Sequence, residues 1–342
     1  MSGGVDSSVS AALLVEQGYD VHGVSLRMWE GERGPRVCSD HRGAEEVAAH
    51  LGIPHTLLDL RQQFAETVVK PFAQDYLHGR TPNPCVACNR DFKFGTLLGW
   101  AKEHDAEFVA TGHYANVIHD QKAERAALLR GADRSKDQSY FLFALSQQQL
   151  AHTLFPLGAM QKTDVRAKAR ALGLPAAERP ESQDICFGDY KVLVASYAEE
   201  SELQGGDVVD RAGKVLGQHG GVHTVTVGQR RGLGIAGAEP LYVVDIDDQS
   251  KRVVVGKKDD LSCAGLIARS VNWLEAPTAE IEAEVQIRYR APAIACRIRA
   301  ESNGTCEVLF ATSFPAVTPG QAAVFYRADR VLGGGWIERA LR

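Results

Sequence analysis

No apolar run in this 342-residue sequence reaches the roughly 20 residues that a bilayer-crossing helix needs, and no signal-peptide pattern is visible. A membrane protein is therefore not expected, and the expected location is the cytoplasm. Cysteine is scarce: there are 7, an odd number, without the spacing of a secreted disulfide framework. In a reducing compartment such residues are reactive or metal-binding more often than cross-linked. No internal repeat and no low-complexity tract interrupts the chain. Neither sign of charge dominates, with 38 Lys and Arg against 43 Asp and Glu, so composition alone gives no signature of a nucleic-acid binder. The balance shifts slightly along the chain: residues 205–342 carry 17 basic and 16 acidic residues, residues 1–204 carry 21 and 27. Length and an ordinary hydrophobic content of 44% allow two or three globular domains.

The chain opens on Ser2-Gly3-Gly4-Val5-Asp6-Ser7-Ser8. Two glycines let a backbone approach an anion closely, and the serines add hydroxyl donors. Residues 9–17 read as a helix whose first N–H groups would face the same anion. The Walker spacing and its lysine are missing here. The run is instead the pattern of pyrophosphatase-loop enzymes, which cleave ATP between its α and β phosphates and attach AMP to an oxygen. The plain alternative is a Gly/Ser turn capping a helix. Such a loop normally follows a buried strand. None precedes Ser2, so the sheet is expected to lack its first strand.

Residues 19–26, 55–58 and 106–111 read as strands, and residues 42–51 and 162–172 as helices. Alternation of this kind predicts an α/β domain with a parallel sheet, of the adenine-nucleotide α-hydrolase-like class. Ligands of such sheets bind at the carboxyl ends of the strands, where Leu26 and Gly112 fall. After about residue 200 glycines punctuate short β-like runs at 208–209, 224–227, 241–246 and 253–255. From about residue 263 the pattern is nearly all strand, at 280–289, 295–300, 305–311 and 322–326, which suits a β-barrel or sandwich. The expected division is 1–195 for an ATP-binding catalytic domain, 196–260 for a small β-rich domain and 261–342 for a C-terminal β-barrel.

Two further motifs contain cysteine. Thr81-Pro82-Asn83-Pro84-Cys85-Val86-Ala87-Cys88-Asn89 stiffens the approach to a C-x-x-C with two prolines, and Glu181-Ser182-Gln183-Asp184-Ile185-Cys186-Phe187 places a cysteine in a polar segment. Read alone, C-x-x-C fits a redox pair, half a zinc site or cluster ligands. Cys296 and Cys306 sit in apolar strand patterns and are expected in a core. Cys263 is in a strand-like context, and Cys38 follows a Gly/Arg loop that defines nothing.

Together with Ala110-Thr111-Gly112-His113-Tyr114, Lys136-Asp137-Gln138-Ser139-Tyr140-Phe141, the T-V-G-Q-R-R-G-L run at 226–233, Arg288-Tyr289 and Thr318-Pro319-Gly320-Gln321, these motifs resemble, in order and over essentially the whole chain, the bacterial tRNA-specific 2-thiouridylases. The resemblance implies ATP-dependent sulfur insertion at the wobble uridine of tRNA anticodons. It implies adenylation of uridine O2, a persulfide on Cys186, Cys88 as the partner nucleophile, and a Cys88–Cys186 disulfide that is later reduced. ATP would lie on residues 2–8 (Ser2, Gly3, Gly4, Val5, Asp6, Ser7, Ser8), with Leu26 and Gly112 against the nucleoside and Asp6 a candidate for Mg2+. A helix N-cap is the alternative for Asp6. The implied tRNA contacts are Asn83, Pro84, Cys85, His113, Lys136, Asp137, Gln138, Arg288, Tyr289 and Gln321. Arg230 and Arg231 on a glycine turn suit phosphate, or form a hairpin with exposed charge. The implied partners are tRNA and a sulfur-relay protein or cysteine desulfurase.

Cys85 departs from the many members that carry an aspartate, assigned acid/base work, at that position. A thiol can shuttle protons in its place. The trio Cys85, Cys88 and Cys186 could instead hold a 4Fe–4S cluster with one open iron as sulfur carrier. Other readings are a different adenylating ligase of the same loop class and an inactive tRNA-binding remnant.

Overall fold

The computed structural model describes residues 1–29, 40–120, 125–180, 186, 189–235 and 239–342. Cys38, residues 181–185 and Phe187 lie outside the described residues. The chain divides into two compact units: residues 1–68, 85–188 and 329–331 form one, and residues 69–84, 189–328 and 332–342 the other.

The first unit carries the α/β pattern. Its strands are β1 (Gly23–Arg27), β2 (His55–Asp59), β3 (Val109–Ala110), β4 (Ala115–Asp120), β5 (Arg125–Arg130) and β6 (Thr153–Leu154). β1 pairs with β2 and β3 with β6, both in parallel. The expected parallel sheet is thus present as two pairs with no ladder joining them among the described residues. The main chain of Met1 bonds to β1 itself: its amino group donates to the Val24 carbonyl, and Ser25 Oγ donates to the Met1 carbonyl at 2.7 Å. β4 and β5 form an antiparallel hairpin that the sequence reading did not contain. Alanines at 115, 126 and 127 and few β-branched residues hide it from a propensity argument.

The first helix, Val5–Glu16, begins four residues earlier than expected, inside the opening motif. Gly4 takes the N-cap with extended dihedrals, so the helix starts directly after the glycines. Val5, Val9 and Ala12 then pack with Leu157, Val165, Ala169 and Leu174, and so seat the motif against helix Lys162–Ala171.

The second unit carries a four-stranded sheet in the order β8-β7-β10-β9, built from β7 (Gly206–Asp210), β8 (Val215–His219), β9 (Tyr242–Asp247) and β10 (Arg252–Gly256). The strand expected at 224–227 is absent. A 3-10 turn, Val222–Thr224, occupies its start, because the Gly221 carbonyl accepts from both the N–H and the hydroxyl of Thr224. The apolar alternation there is real but serves burial: Val225 and Val227 lie in this sheet's core with Val208, Val243 and Val253.

Six strands follow: β11 (Ser262–Trp273), β12 (Glu280–Gln286), β13 (Ile294–Ala300), β14 (Cys306–Pro315), β15 (Ala322–Arg327) and β16 (Arg330–Leu341). The order β11-β14-β13-β12-β15-β16 returns to β11 through the β11–β16 pairing, which closes a barrel and leaves no free edge. Leu266, Val285, Ile298, Val308 and Phe325 fill it, and Cys263, Cys296 and Cys306 are buried in the same core. The expectation for the last two cysteines holds.

Candidate active site

Residues 2–8, a glycine turn and the first turn of the helix, have their own internal bonding. Ser7 and Ser8 donate their hydroxyls to the Gly4 carbonyl at 3.1 and 2.9 Å, and Ser2 N–H donates to Ser7 Oγ at 3.2 Å. No side chain caps the helix, so the first-turn amides remain available to an anion. Gly3 has φ of +74°, and a Cβ there would stand 2.4 Å from the Asp40 carbonyl oxygen, so only glycine fits. Arg179 braces the turn from outside by donating to Gly3 O at 2.9 Å and to the Asp40 carboxylate. Gly112, just beyond β3, lies against the loop. A Cβ on it would be 2.7 Å from the Asp6 carbonyl carbon and 2.8 Å from Ser7 N. Leu26, near the carboxyl end of β1, is buried. Leu26, inside β1 near its end, and Gly112, two residues beyond β3, therefore lie at the strand ends, as expected, and Gly112 lies against residues 6 and 7.

Asp6 is not the N-cap, since Gly4 is. Its carboxylate accepts from Lys162 Nζ at 2.7 Å (Oδ1) and 2.8 Å (Oδ2), and from the Tyr114 hydroxyl at 2.8 Å (Oδ1). Magnesium wants free oxygen ligands at about 2.0–2.1 Å. With both oxygens occupied by donors, Asp6 does not fit a resident Mg2+.

The T-G-H-Y segment divides its residues among neighbours. His113 Nδ1 is hydrogen-bonded to Thr111 Oγ1 at 2.8 Å, and the ring packs against those of Phe94 and Phe155. Burial, with Lys93 adding to it, holds His113 well below the usual histidine range, so it is neutral at pH 7. Tyr114 reaches Asp6 with its hydroxyl while its N–H donates to Gln138 Oε1 at 3.0 Å. Asp137 is buried and fully engaged: Arg130, Gly131 N–H, Ser139 N–H and Ser139 Oγ all donate to it. Asp137 and Gln138 therefore shape their loop through their side chains, and Lys136 beside them is half-buried.

Cys85 and Cys88 lie on successive helical segments, Pro84–Ala87 and the π-helix Cys88–Thr96. Cys88 is buried, with its thiol 3.7 Å from Met28 Sδ. Desolvation pushes Cys88 up to about 12 and Cys85 up to about 11. Cys186 is within electrostatic reach of both thiols and raises them further. Lys93 opposes the rise at both thiols. A cluster wants thiolates in a ligand set. Among the described residues no group of three His, Cys, Asp or Glu is arranged to hold a metal. The trio as placed does not fit a cluster.

The chain's relatives agree with this architecture. Residues 1–189 match the sequence model described as the tRNA methyl transferase HUP domain, residues 193–257 its PRC-barrel domain, and residues 263–337 an aminomethyltransferase beta-barrel domain. A protein of Geotalea uraniireducens named tRNA-specific 2-thiouridylase MnmA is 50% identical over 100% of this chain and 94% of its own length. Proteins of the same name from Syntrophotalea carbinolica and Solibacter usitatus are 49% and 47% identical, over 98% and 99% of this chain and 97% and 98% of their own lengths. The chain belongs to the tRNA-specific 2-thiouridylase family. Its HUP-type domain, small β domain and six-stranded barrel are those of the matched models.

In the second unit of this thiouridylase-family chain, the T-P-N-P approach is strapped to the barrel. Thr81 N–H donates to Pro319 O at 2.9 Å, and Gln321 Nε2 donates to Thr81 O at 2.7 Å. Arg288 donates to Ala316 O and Thr318 Oγ1, each at 2.7 Å, and Tyr289 is half-buried beside it. Arg230 and Arg231 are exposed on their glycine turn. Asn83 is half-buried and Pro84 buried.

Sequence reasoning missed Lys93, Lys162 and Arg179. Lys93 is five residues past Cys88, a spacing that an α-helix sends to a different face and an i→i+5 π-helix stacks. Lys162 did leave a signal. A lysine in the first turn of a helix opposes the macrodipole and so points to a partner that holds it there.

Proposed function

We propose that the chain uses ATP to replace O2 of the wobble uridine in tRNA anticodons with sulfur. Uridine O2 is a poor leaving group, and adenylation makes it leave as AMP. The phosphate loop would hold the ATP, with pyrophosphate departing in the adenylation step. Cys186 would carry a persulfide supplied by an external sulfur donor. Its terminal sulfur, deprotonated, attacks C2 of the adenylated base, the C2–O2 bond breaks and AMP departs. Cys88, as thiolate, then attacks Cys186 Sγ. The S–S bond to the base breaks, the thiocarbonyl forms and a Cys88–Cys186 disulfide remains, which an external thiol reduces.

The observation that carries this reading is the match of the full chain to the thiouridylases, supported by Cys186 lying within electrostatic reach of Cys85 and Cys88. Cys85 would serve beside both as a proton shuttle in the place of an acid. An anticodon uridine is already single-stranded, so turning it into a pocket costs little. Lys136, Arg230, Arg231 and Arg288 would meet phosphates. Affinity for tRNA is expected to fall at least about tenfold between roughly 50 and 200 mM salt, despite the net negative charge.

The deciding experiment incubates the chain with unmodified tRNA, ATP and a persulfide donor, then digests the tRNA for nucleoside mass spectrometry. ATP-dependent 2-thiouridine is the expected product. Its absence, with tRNA bound and AMP released, would reject the sulfur chemistry. Binding without AMP release would point to a tRNA-binding protein.

A further inference from the structure

We propose that Lys162 is the protein cation that takes the ATP polyphosphate, and that Asp6 is the carboxylate that positions this lysine. The inference rests on the reading that the loop binds ATP. Asp6 sits in the first turn of a 12-residue helix whose uncapped amides face the loop. A bare carboxylate there would repel a polyphosphate by its own charge, against the field that draws the anion to the amides. Lys162 removes the conflict, since its ammonium spans both Asp6 oxygens at 2.7 and 2.8 Å.

The lysine is built in. It is 8% exposed, and its own N–H donates to Asp133 Oδ2 at 3.0 Å, which fixes the main chain at the helix start. Its ammonium lies 5.5 Å from the centre of the Tyr114 ring, and the Tyr114 hydroxyl supplies Asp6 with a third donor. An ammonium buried at the positive end of a helix is a poor device for stability, because desolvation and dipole both oppose it. An apolar residue would fill the space with less penalty. The arrangement makes sense when an anion shares the ammonium. A phosphate group on the loop amides offers Lys162 a second oxygen partner, while Asp6 and Tyr114 keep it aimed. Asp6 then serves through the lysine, which accounts for a carboxylate inside an anion-binding motif.

The test uses the full chain carrying Lys162→Met, Lys162→Arg, Asp6→Asn, or the neutral pair Asp6→Asn with Lys162→Met, each checked for folding by circular dichroism and thermal melting. Binding of ATP, inorganic pyrophosphate and adenosine is measured by calorimetry at several Mg2+ concentrations. Lys162→Met should weaken ATP and pyrophosphate at least about tenfold while adenosine changes less than about threefold. Lys162→Arg should recover much of the loss. If Lys162→Met unfolds through its unpaired carboxylate, the neutral pair restores the fold and should still bind pyrophosphate poorly. Wild-type pyrophosphate affinity in a folded Lys162 variant would overturn the proposal, as would an equal loss of adenosine. So would rescue of Asp6→Asn by raised Mg2+, the behaviour of a metal ligand. A wild-type chain that binds no ATP would instead sink the ATP reading itself.

Discussion

At the phosphate loop, charge is present and paired: Asp6 is held by Lys162 and Tyr114, and Arg179 braces Gly3 and Asp40. At the cysteines, a few residues past Pro84, burial keeps the nucleophiles neutral. Two thiols are pushed to about 11 and about 12, and His113 is neutral. The first region is organised before its ligand arrives, which limits reorganisation when an anion binds. The second holds its nucleophiles as thiols, which resist oxidation and stray alkylation until something stabilises the thiolate. Lys93 is the cation that favours both thiolates. The contrast suits a reaction in which activation by ATP comes before sulfur transfer.

The largest effect that would sharpen this contrast is expected from Cys186→Ser. Thiolation should fall at least about 10³-fold while tRNA-dependent AMP formation stays measurable, because only the second region has lost its nucleophile. Nucleoside mass spectrometry and an AMP assay read the two limbs separately. Near-wild-type 2-thiouridine would break the assignment.

Gly112→Ala addresses the first region. Its new methyl would press on the main chain of Asp6 and Ser7, which cannot yield as a side chain would. Overpacking of about 1–3 kcal/mol predicts ATP binding weaker by roughly five- to a hundredfold, with alkylation of the cysteines unchanged. A fall in cysteine reactivity as well would mean that the two regions are coupled.

Alkylation of Cys85 and Cys88, read at each residue by peptide mass spectrometry, should be slow at about pH 7 and rise about tenfold per pH unit towards roughly pH 10, since each thiol is neutral below its raised pKa and deprotonates as pH climbs. Lys93→Gln removes the group that lowers both thiols, so their pKa values rise further and the profile moves to higher pH. The slowing is expected at several- to about tenfold. An early plateau near neutral pH would show a thiolate already formed and remove the contrast.

The smallest effect is expected from Cys85→Asp, which restores the residue common in the family. In the persulfide reading Cys85 only moves protons, so activity should stay within about tenfold of wild type and the anaerobically purified protein should be colourless. A brown wild type that loses colour and activity together on this change would replace the persulfide with a cluster.

The motifs determined the family, the order of the three structural regions and most candidate residues, because spacing such as S-G-G-x-D-S-S or C-x-x-C encodes local geometry. The barrel core was legible for the same reason, as alternation at 294–300 and 306–310 maps directly onto one face of a strand. The tertiary structure decided the rest. Lys162 reaches Asp6 across 156 positions, and Lys93 and Cys186 act electrostatically on Cys85 and Cys88. Asp137 and Gln138 proved to be internal braces of their own loop. Local sequence fixes dihedrals and which face is apolar. Whether a charged or nucleophilic group is paired, buried or free depends on what long-range folding sets beside it, and that partner leaves no period or spacing to read.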